Sequence, residues 1–591
     1  MEEPRIGVFI CHCGINIAAY VGVPEVVEYV KQLPNVVHAE RNLFTCSEEG
    51  ISAIKKGIKE YNLNRVIVAS CTPRTHEPLF RAACEEAGLN KYLFEFVNIR
   101  DQCSWVHMRE PEKATEKAKD LIRMGVAKAR LLEPLEEIEM PVTPAALVIG
   151  GGVVGMEAAL NLARQGFDVY LVEKEPELGG TLRSIHKLFP TNREATELTK
   201  LLIEQVKSHP RIKTHLSSKV KQVTGFIGNF DVTLSPVIAS CEAEPKQTRS
   251  EIPRLRSEQA PQSQDASPDS GLQFNVGTII VAVGAQPLKP TGQYGYGKMA
   301  NVVTQLELEE RMKKGESLGQ NVVMVNCVGA RVPERTYCSR ICCMTAIKNA
   351  SFIKEANPRA RVWILHRDLM TYGVDFENYY RRAMELGVRF IRYSLERPPA
   401  VIGDEKVEKI KVYHELWRRE IELPCDMLVL TTPLIPPQDN QDISKMLKVS
   451  LDEFGFFMEA HLKLRPVEFA MDGVYICGSA RWPTDVTEGI SQAYAAASKA
   501  AGPLRMGYVK AEAINALVNK DECSGCGICE LLCPFQAIEL QPTKDGKRVS
   551  HVNEAVCKGC GTCGAACPSG AIAMHHFTDE QILAQVEALF G

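Results

Sequence analysis

The chain has 591 residues, more than one hydrophobic core accommodates, and three or four domains are expected. Apolar residues make up 45% and charged residues 24%, with a net charge of −4 and no basic block, which gives nucleic acid or an anionic membrane no electrostatic footprint. No apolar run reaches the roughly 18 to 20 residues of a membrane span, and MEEPRIGVF passes from acidic residues straight into a strand pattern, unlike a signal peptide, so a cytoplasmic protein is expected.

Residues 1–110 alternate strand-like runs (IGVFIC, RVIVAS, YLFEFV) with helical patterns and read as a small parallel α/β domain. Cys11 and Cys13 lie at the end of the first run, Cys46 ends NLFTC, Cys71 ends VIVASC and Cys103 follows the last run. With 21 cysteines and no export signal, the chain points to metal ligation and redox chemistry more than to disulfides. Cys84 falls in a helical pattern and reads as a packed thiol; Cys241, Cys425 and Cys477 stand alone and read as incidental. Residues 111–140 hold a run of good helix formers with both charge signs, read as a connecting helix, and end in prolines.

A unit covering 141–512 opens with the strand ALVI and Gly150-x-Gly152-x-x-Gly155 at the start of a helix. The next strand, DVYLVE, ends at Glu173, with Lys174 beside it. This context specifies a dinucleotide turn: Gly150 for the tight bend, Gly152 for approach of a pyrophosphate, Gly155 for helix–strand packing, and Glu173 for the ribose hydroxyls. Glu177-Leu178-Gly179-Gly180-Thr181, the strand and turn TIIVAVGAQP with Gly284, and GVYICGSARWPTDVTEGISQAYAAA with Gly478, Ser479 and Thr487 resemble segments of two-dinucleotide flavoproteins, which favours FAD over NAD. Ser479 stands where such proteins often have Asp. The final helix would aim its positive N-terminus at the flavin. Residues 235–272, rich in Ser, Pro, Gln and Glu, are expected to form an exposed, poorly ordered insert.

A thioredoxin-reductase-like layout places a second nucleotide domain between the flavin halves, over 320–435. Its first turn, NCVGARVPERTYCSRICCM, has no glycine triplet and carries Cys327, Cys338, Cys342 and Cys343. Without glycines a hydride donor's pyrophosphate has no seat. The four thiols form either a 4Fe-4S site or a redox dithiol among buried thiols. Residues 513–576 read Cys523-x2-Cys526-x2-Cys529-x3-Cys533-Pro and Cys557-x2-Cys560-x2-Cys563-x3-Cys567-Pro, the pattern of a two-cluster bacterial ferredoxin. The fourth cysteine of each run crosses over, giving the sets Cys523, Cys526, Cys529, Cys567 and Cys557, Cys560, Cys563, Cys533. Paired zinc sites fit this run poorly. A helix is expected over 577–591.

CHCG, SCTPRTHEP, NIRDQCSWVH, EKATEKAKDLIRMGVAKARLLEPLE, the glycine fingerprint and YCSRICCMTAIK together resemble the A-type subunits of heterodisulfide reductase, with their related flavoproteins, over nearly the whole chain. The expected fold class is therefore multidomain α/β: an N-terminal parallel α/β domain, a thioredoxin-reductase-like two-dinucleotide flavoprotein core and a C-terminal two-cluster ferredoxin domain. The resemblance implies a 4Fe-4S cluster on Cys327, Cys338, Cys342 and Cys343 beside the FAD, with Lys348 near the flavin's reactive edge. It also implies a cluster on four of Cys11, Cys13, Cys46, Cys71 and Cys103, since strand ends of a parallel sheet converge on one crevice. That makes about four clusters with one FAD. The implied partners are heterodisulfide reductase-like subunits B and C, a hydrogenase- or formate-dehydrogenase-type donor, ferredoxin and a second copy of the chain, and the implied chemistry includes electron bifurcation. The longest family members carry an inserted second ferredoxin domain, whereas the insert here has one cysteine, Cys241. The rival readings are a self-sufficient NAD(P)H-dependent flavoprotein disulfide reductase and a scaffold with a structural flavin.

Overall fold

The computed structural model describes residues 2–237 and 271–590, apart from the side chains of residues 74 and 75. Residues 238–270 of the expected insert, with Cys241, lie outside the described residues. The chain forms two units: Met1–Met140 with Lys510–Gly591, and Pro141–Val509.

In the first unit, four parallel strands stand in the order Val36–Asn42, Ile6–Cys11, Arg65–Ser70, Phe94–Asn98. The two central strands are buried at every position, as expected for apolar runs covered on both faces. The helix Pro111–Ala129, read from sequence as a connector, lies packed on this sheet. Ala114, Ala118, Ile122 and Val126 recur every fourth residue and put one apolar stripe into the same core as the strands. Lys128 is buried and pairs with Glu95 of the sheet at 2.9 Å, while Arg123, on a more exposed face, holds Asp120 at 2.9 Å and Leu589 O at 3.1 Å through Nη2. The helix Asp579–Phe590 thus docks against it. Between them in sequence, the cysteine-rich module pairs Ala516–Val518 with Ile572–Met574 and Ile538–Pro542 with Arg548–Val552, all antiparallel.

The second unit contains two parallel sheets of five strands. One has the order Val474–Ile476, Thr278–Val281, Ala145–Ile149, Asp168–Val172, Ile212–His215. The other has the order Val302–Thr304, Met427–Leu430, Asn321–Val325, Arg361–His366, Arg389–Arg392. Each half also carries a three-stranded antiparallel sheet, around Asn229–Pro236 in one and Lys409–His414 in the other. Four strands of each sheet follow the same order, while the edge strand comes last in the chain in one half (Val474–Ile476) and first in the other (Val302–Thr304).

Candidate active site: a glycine cradle and a cysteine loop around one cavity

The turn after Ala145–Ile149 has backbone demands that only glycine meets. Gly150 has φ +111°, and a Cβ there would stand 2.4 Å from Ala282 O. At Gly155 a Cβ would lie 1.8 Å from Gly150 O, so the helix Val153–Arg164 packs directly on its own turn. Gly152 has open space where its Cβ would be and caps that helix without a side chain. Its uncapped N–H groups are the donors a phosphate would take. Glu173, nearly buried, accepts from Gly151 N at 2.6 Å through Oε2 and from Glu175 N at 2.9 Å through Oε1.

These groups line a cavity of about 600 Å³, together with Lys174, Gly179, Gly180, Thr181, Gly284 and Ser479. Three expected residues do not line it. Gly155 lies beneath the turn, and Gly478 packs on Val154 and donates its N–H to Gln492 Oε1 at 2.9 Å. Thr487 is exposed on the helix Val486–Met506, and Thr484, Asp485 and Val486 face the cavity in its place. Asp485 accepts from Glu488 N at 2.9 Å and caps this helix, while Thr484 Oγ1 is buried without a partner. Cys477, read from sequence as incidental, also lines the cavity.

Lys348 reaches the cavity from the other half of the unit and is 1% exposed. Its Nζ donates to Glu309 Oε1 at 2.6 Å and to Lys187 O at 2.7 Å. Glu309 also accepts His186 N at 2.6 Å, and Asn349 links it to Gln305, whose Nε2 donates to Thr431 Oγ1 at 2.9 Å. Burial pushes the Lys348 ammonium down from the usual lysine range, and Glu309 acts against that. Glu309 was missed in the sequence. Its only signal is position: Gln305, Leu308 and Glu309 share the buried face of the helix Gln305–Lys313.

The cysteine loop spans residues 326–341 and leads into the helix Cys342–Ala356. Cys342, at its first turn, lines the cavity, and its Sγ–H donates to Thr432 O at 3.4 Å. Cys343 points elsewhere, toward Asp368 O at 3.6 Å. Burial and the neighbouring thiols Cys343, Cys327 and Cys338 push Cys342 well up, and burial pushes Cys343 up to about 12. Each of these two thiols thus feels the charge of Cys327 and Cys338 in the same loop.

In the other unit, the crevice at the strand ends joins Cys11, Cys13, Cys46 and Cys71. Burial and then Cys11 and Cys13 raise Cys46; burial, Cys13 and Cys11 raise Cys71 while Arg100 opposes them. Cys103 is apart: fully buried, it donates to Ala114 O at 3.0 Å and is pushed up to about 11 by burial, with no thiol neighbour acting on it. Cys84 is likewise buried in its helix. In the cysteine-rich module, Cys533, Cys557, Cys560 and Cys563 line one pocket. Cys529 contacts Ser550 Oγ at 3.0 Å, Cys523 accepts Ser550 N at 3.5 Å, and Cys567 packs against the cluster of Cys523, Val549 and Ala571; Cys526 is exposed. Among the described residues no three His, Cys, Asp or Glu side chains form a single-ion site. A four-iron cube, with one thiolate per iron, spreads its ligands more widely than one ion does.

Residues 144–500 match the pyridine nucleotide-disulphide oxidoreductase family, and residues 522–571 match the 4Fe-4S dicluster domain. The chain is 43% identical to the second iron-sulfur A-type subunit of the CoB–CoM heterodisulfide reductase of Methanopyrus kandleri, covering 100% of this chain and 99% of the relative. It is 41% identical to the A-type subunit of the H2:CoB-CoM heterodisulfide,ferredoxin reductase of Methanothermobacter marburgensis, over 100% and 98% of the two chains. Among solved structures, thioredoxin reductase of Lactococcus lactis is 16% identical, with a TM-score of 0.41, covering 62% of this chain and 100% of that one. No helix among the described residues is long and apolar enough to cross a membrane. The chain, an oxidoreductase with a flavoprotein core and an iron–sulfur module, belongs to the family of heterodisulfide reductase A-type subunits.

Proposed function

We propose that this chain is the FAD and iron–sulfur electron-transfer subunit of a heterodisulfide-reductase-type complex. The observation that carries the reading is the opening of Cys342 and Lys348 into the cavity framed by the glycine turn. The cavity suits FAD. Open space at Gly152 and Gly284 leaves room for a ligand against the backbone, and Thr484 Oγ1 lacks a partner. Each Glu173 oxygen keeps a lone pair for a ribose hydroxyl after accepting one backbone N–H. The N-termini of Val153–Arg164 and Val486–Met506 bring partial positive charge to the phosphates and to the ring. Bound there, FAD supplies the exchange between paired and single electrons. Lys348 has three donors and two are engaged, which leaves one N–H for an acceptor in the cavity. Glu309 favours the protonated form of Lys348 Nζ against the effect of burial.

The donor chemistry fits four clusters, on Cys327, Cys338, Cys342, Cys343; on Cys11, Cys13, Cys46, Cys71; and on the two crossed sets of the dicluster module. Subunits B and C, a hydrogenase- or formate-dehydrogenase-type donor, ferredoxin and a second copy of the chain are the proposed partners; relatives are named for H2, formate and ferredoxin. The alignment to the Methanopyrus relative runs over 654 positions against 591 residues here, in keeping with a shorter insert. Bifurcation, the finer form of the proposal, requires ferredoxin and heterodisulfide to be reduced together. Anaerobic analysis of the purified chain is expected to give about sixteen irons and one FAD. About eight irons or fewer would remove both clusters outside the dicluster module.

A further inference from the structure

The cysteine loop is flanked by a buried positive charge that no acid neutralises. Arg367, just beyond the strand Arg361–His366, is 9% exposed. Its Nη1 donates to Arg331 O at 2.9 Å and its Nη2 to Ala330 O at 2.5 Å. The Ala330 N–H returns to Cys327 O at 3.2 Å, so the guanidinium ties down the turn that begins at Cys327. Both Cys327 (φ +64°) and Arg331 (φ +57°) hold left-handed backbone without being glycine, which requires such a clamp. Arg367 Nε is buried without a partner, and no carboxylate among the described residues pairs with this side chain. Asp368, next in sequence, is engaged by Arg331 at 2.8 Å and Arg392 at 3.6 Å. Arg340, in the same loop, pairs with Glu488 at 2.7 Å. His366 adds no charge, because burial and Arg392 push it down to about 4. Arg331 and Arg392 thus share one carboxylate, Arg340 has Glu488, and Arg367 has none. A buried cation without a counter-charge is costly, so the surroundings are built for an anion. The cysteine turn is beside Arg367: the Ala330 carbonyl that takes its Nη2 belongs to the residue whose N–H closes on Cys327 O.

We propose that Arg367 is a positioning residue that compensates the charge of the cluster held by Cys327, Cys338, Cys342 and Cys343 and sets its reduction potential. The inference rests on the cluster reading above. Uptake of one electron adds one negative charge and no proton, and a fixed buried cation favours the reduced side of that balance. Since Cys342 borders the flavin cavity, this potential governs which way an electron passes between loop and cavity.

The test is an anaerobic, EPR-monitored redox titration of the whole chain, following the signal that Cys338→Ala removes. In Arg367→Met the one-electron equilibrium constant for reduction is expected to fall at least tenfold, about 59 mV; Arg367→Lys is expected to shift by less than half of that. An unchanged potential in an iron-loaded Arg367→Met overturns the inference. If Arg367→Met loses about four irons, the lysine variant decides. Iron retained with lysine supports charge compensation, and iron lost from both means a purely structural clamp, which contradicts it. Should Cys338→Ala remove neither signal nor iron, the cluster reading fails first and the inference falls with it.

Discussion

The two halves of the Pro141–Val509 unit each place a strand–turn–helix at the centre of a five-stranded parallel sheet, and fill the turn with opposite chemistry. After Ala145–Ile149, residues 150–152 suffice before the helix begins, because glycine supplies the positive φ and the close approach. After Asn321–Val325, residues 326–341 intervene, and their left-handed positions are Cys327, Arg331 and Arg340 besides Gly329. One turn offers backbone N–H groups and is fixed by small size. The other presents sulfur and is held by side chains that reach in from neighbouring strands. A shared topology thus fixes where a ligand meets the sheet, and the turn decides which ligand that is.

Substitutions that strike one turn and spare the other separate these roles. The largest effect is expected from Gly155→Leu, whose Cβ alone would lie 1.8 Å from Gly150 O. Released FAD per chain should fall by roughly tenfold or more, since the cradle cannot keep its shape. Cys338→Ala should do the reverse, losing about four irons while the flavin absorbance per chain stays at the native value. Iron loss from the glycine variant alone would blur the distinction.

Glu309→Gln tests the polar contact at the boundary between the halves. It leaves Lys348 buried and unpaired, a loss of about 3–5 kcal/mol in thermal or denaturant unfolding. The sign with pH follows from the depressed lysine. Between its lowered folded value and 10.5 the unfolded chain binds more protons, so stability from this group rises with pH. Removing Glu309 lowers the folded value further, so the gap between variant and native should narrow as pH rises from the variant's folded value to the native one and stay level from there to 10.5. The smallest effect is expected at Cys103→Ala, which should leave the iron content unchanged, whereas Cys71→Ala should lose about four irons.

The glycine turn was legible in the sequence because its spacing encodes a backbone shape. The ferredoxin-type cysteines were legible for the same reason, spacing within one short segment. Glu309 and Arg367 were not, because each acts on a residue far along the chain, and charged residues in amphipathic patterns read as solvent-facing. Thr487 was expected in the cavity but lies one residue past the lining: the turn ends at Asp485, and the residues just before and after that cap face inward. Cys103 resembled a fifth strand-end thiol until its neighbour proved to be the Ala114 carbonyl, on a helix whose packing role the alternating charges concealed.

The central claim is that the second turn serves electrons and not hydride. Anaerobic stopped-flow mixing of the FAD-loaded chain with NADPH, followed at the flavin band, tests it most directly. The flavin is expected to stay oxidised with NADPH and to bleach with a one-electron donor such as reduced ferredoxin. Rapid bleaching by one equivalent of NADPH would show a nicotinamide seated where the cysteine loop stands, and would contradict the account.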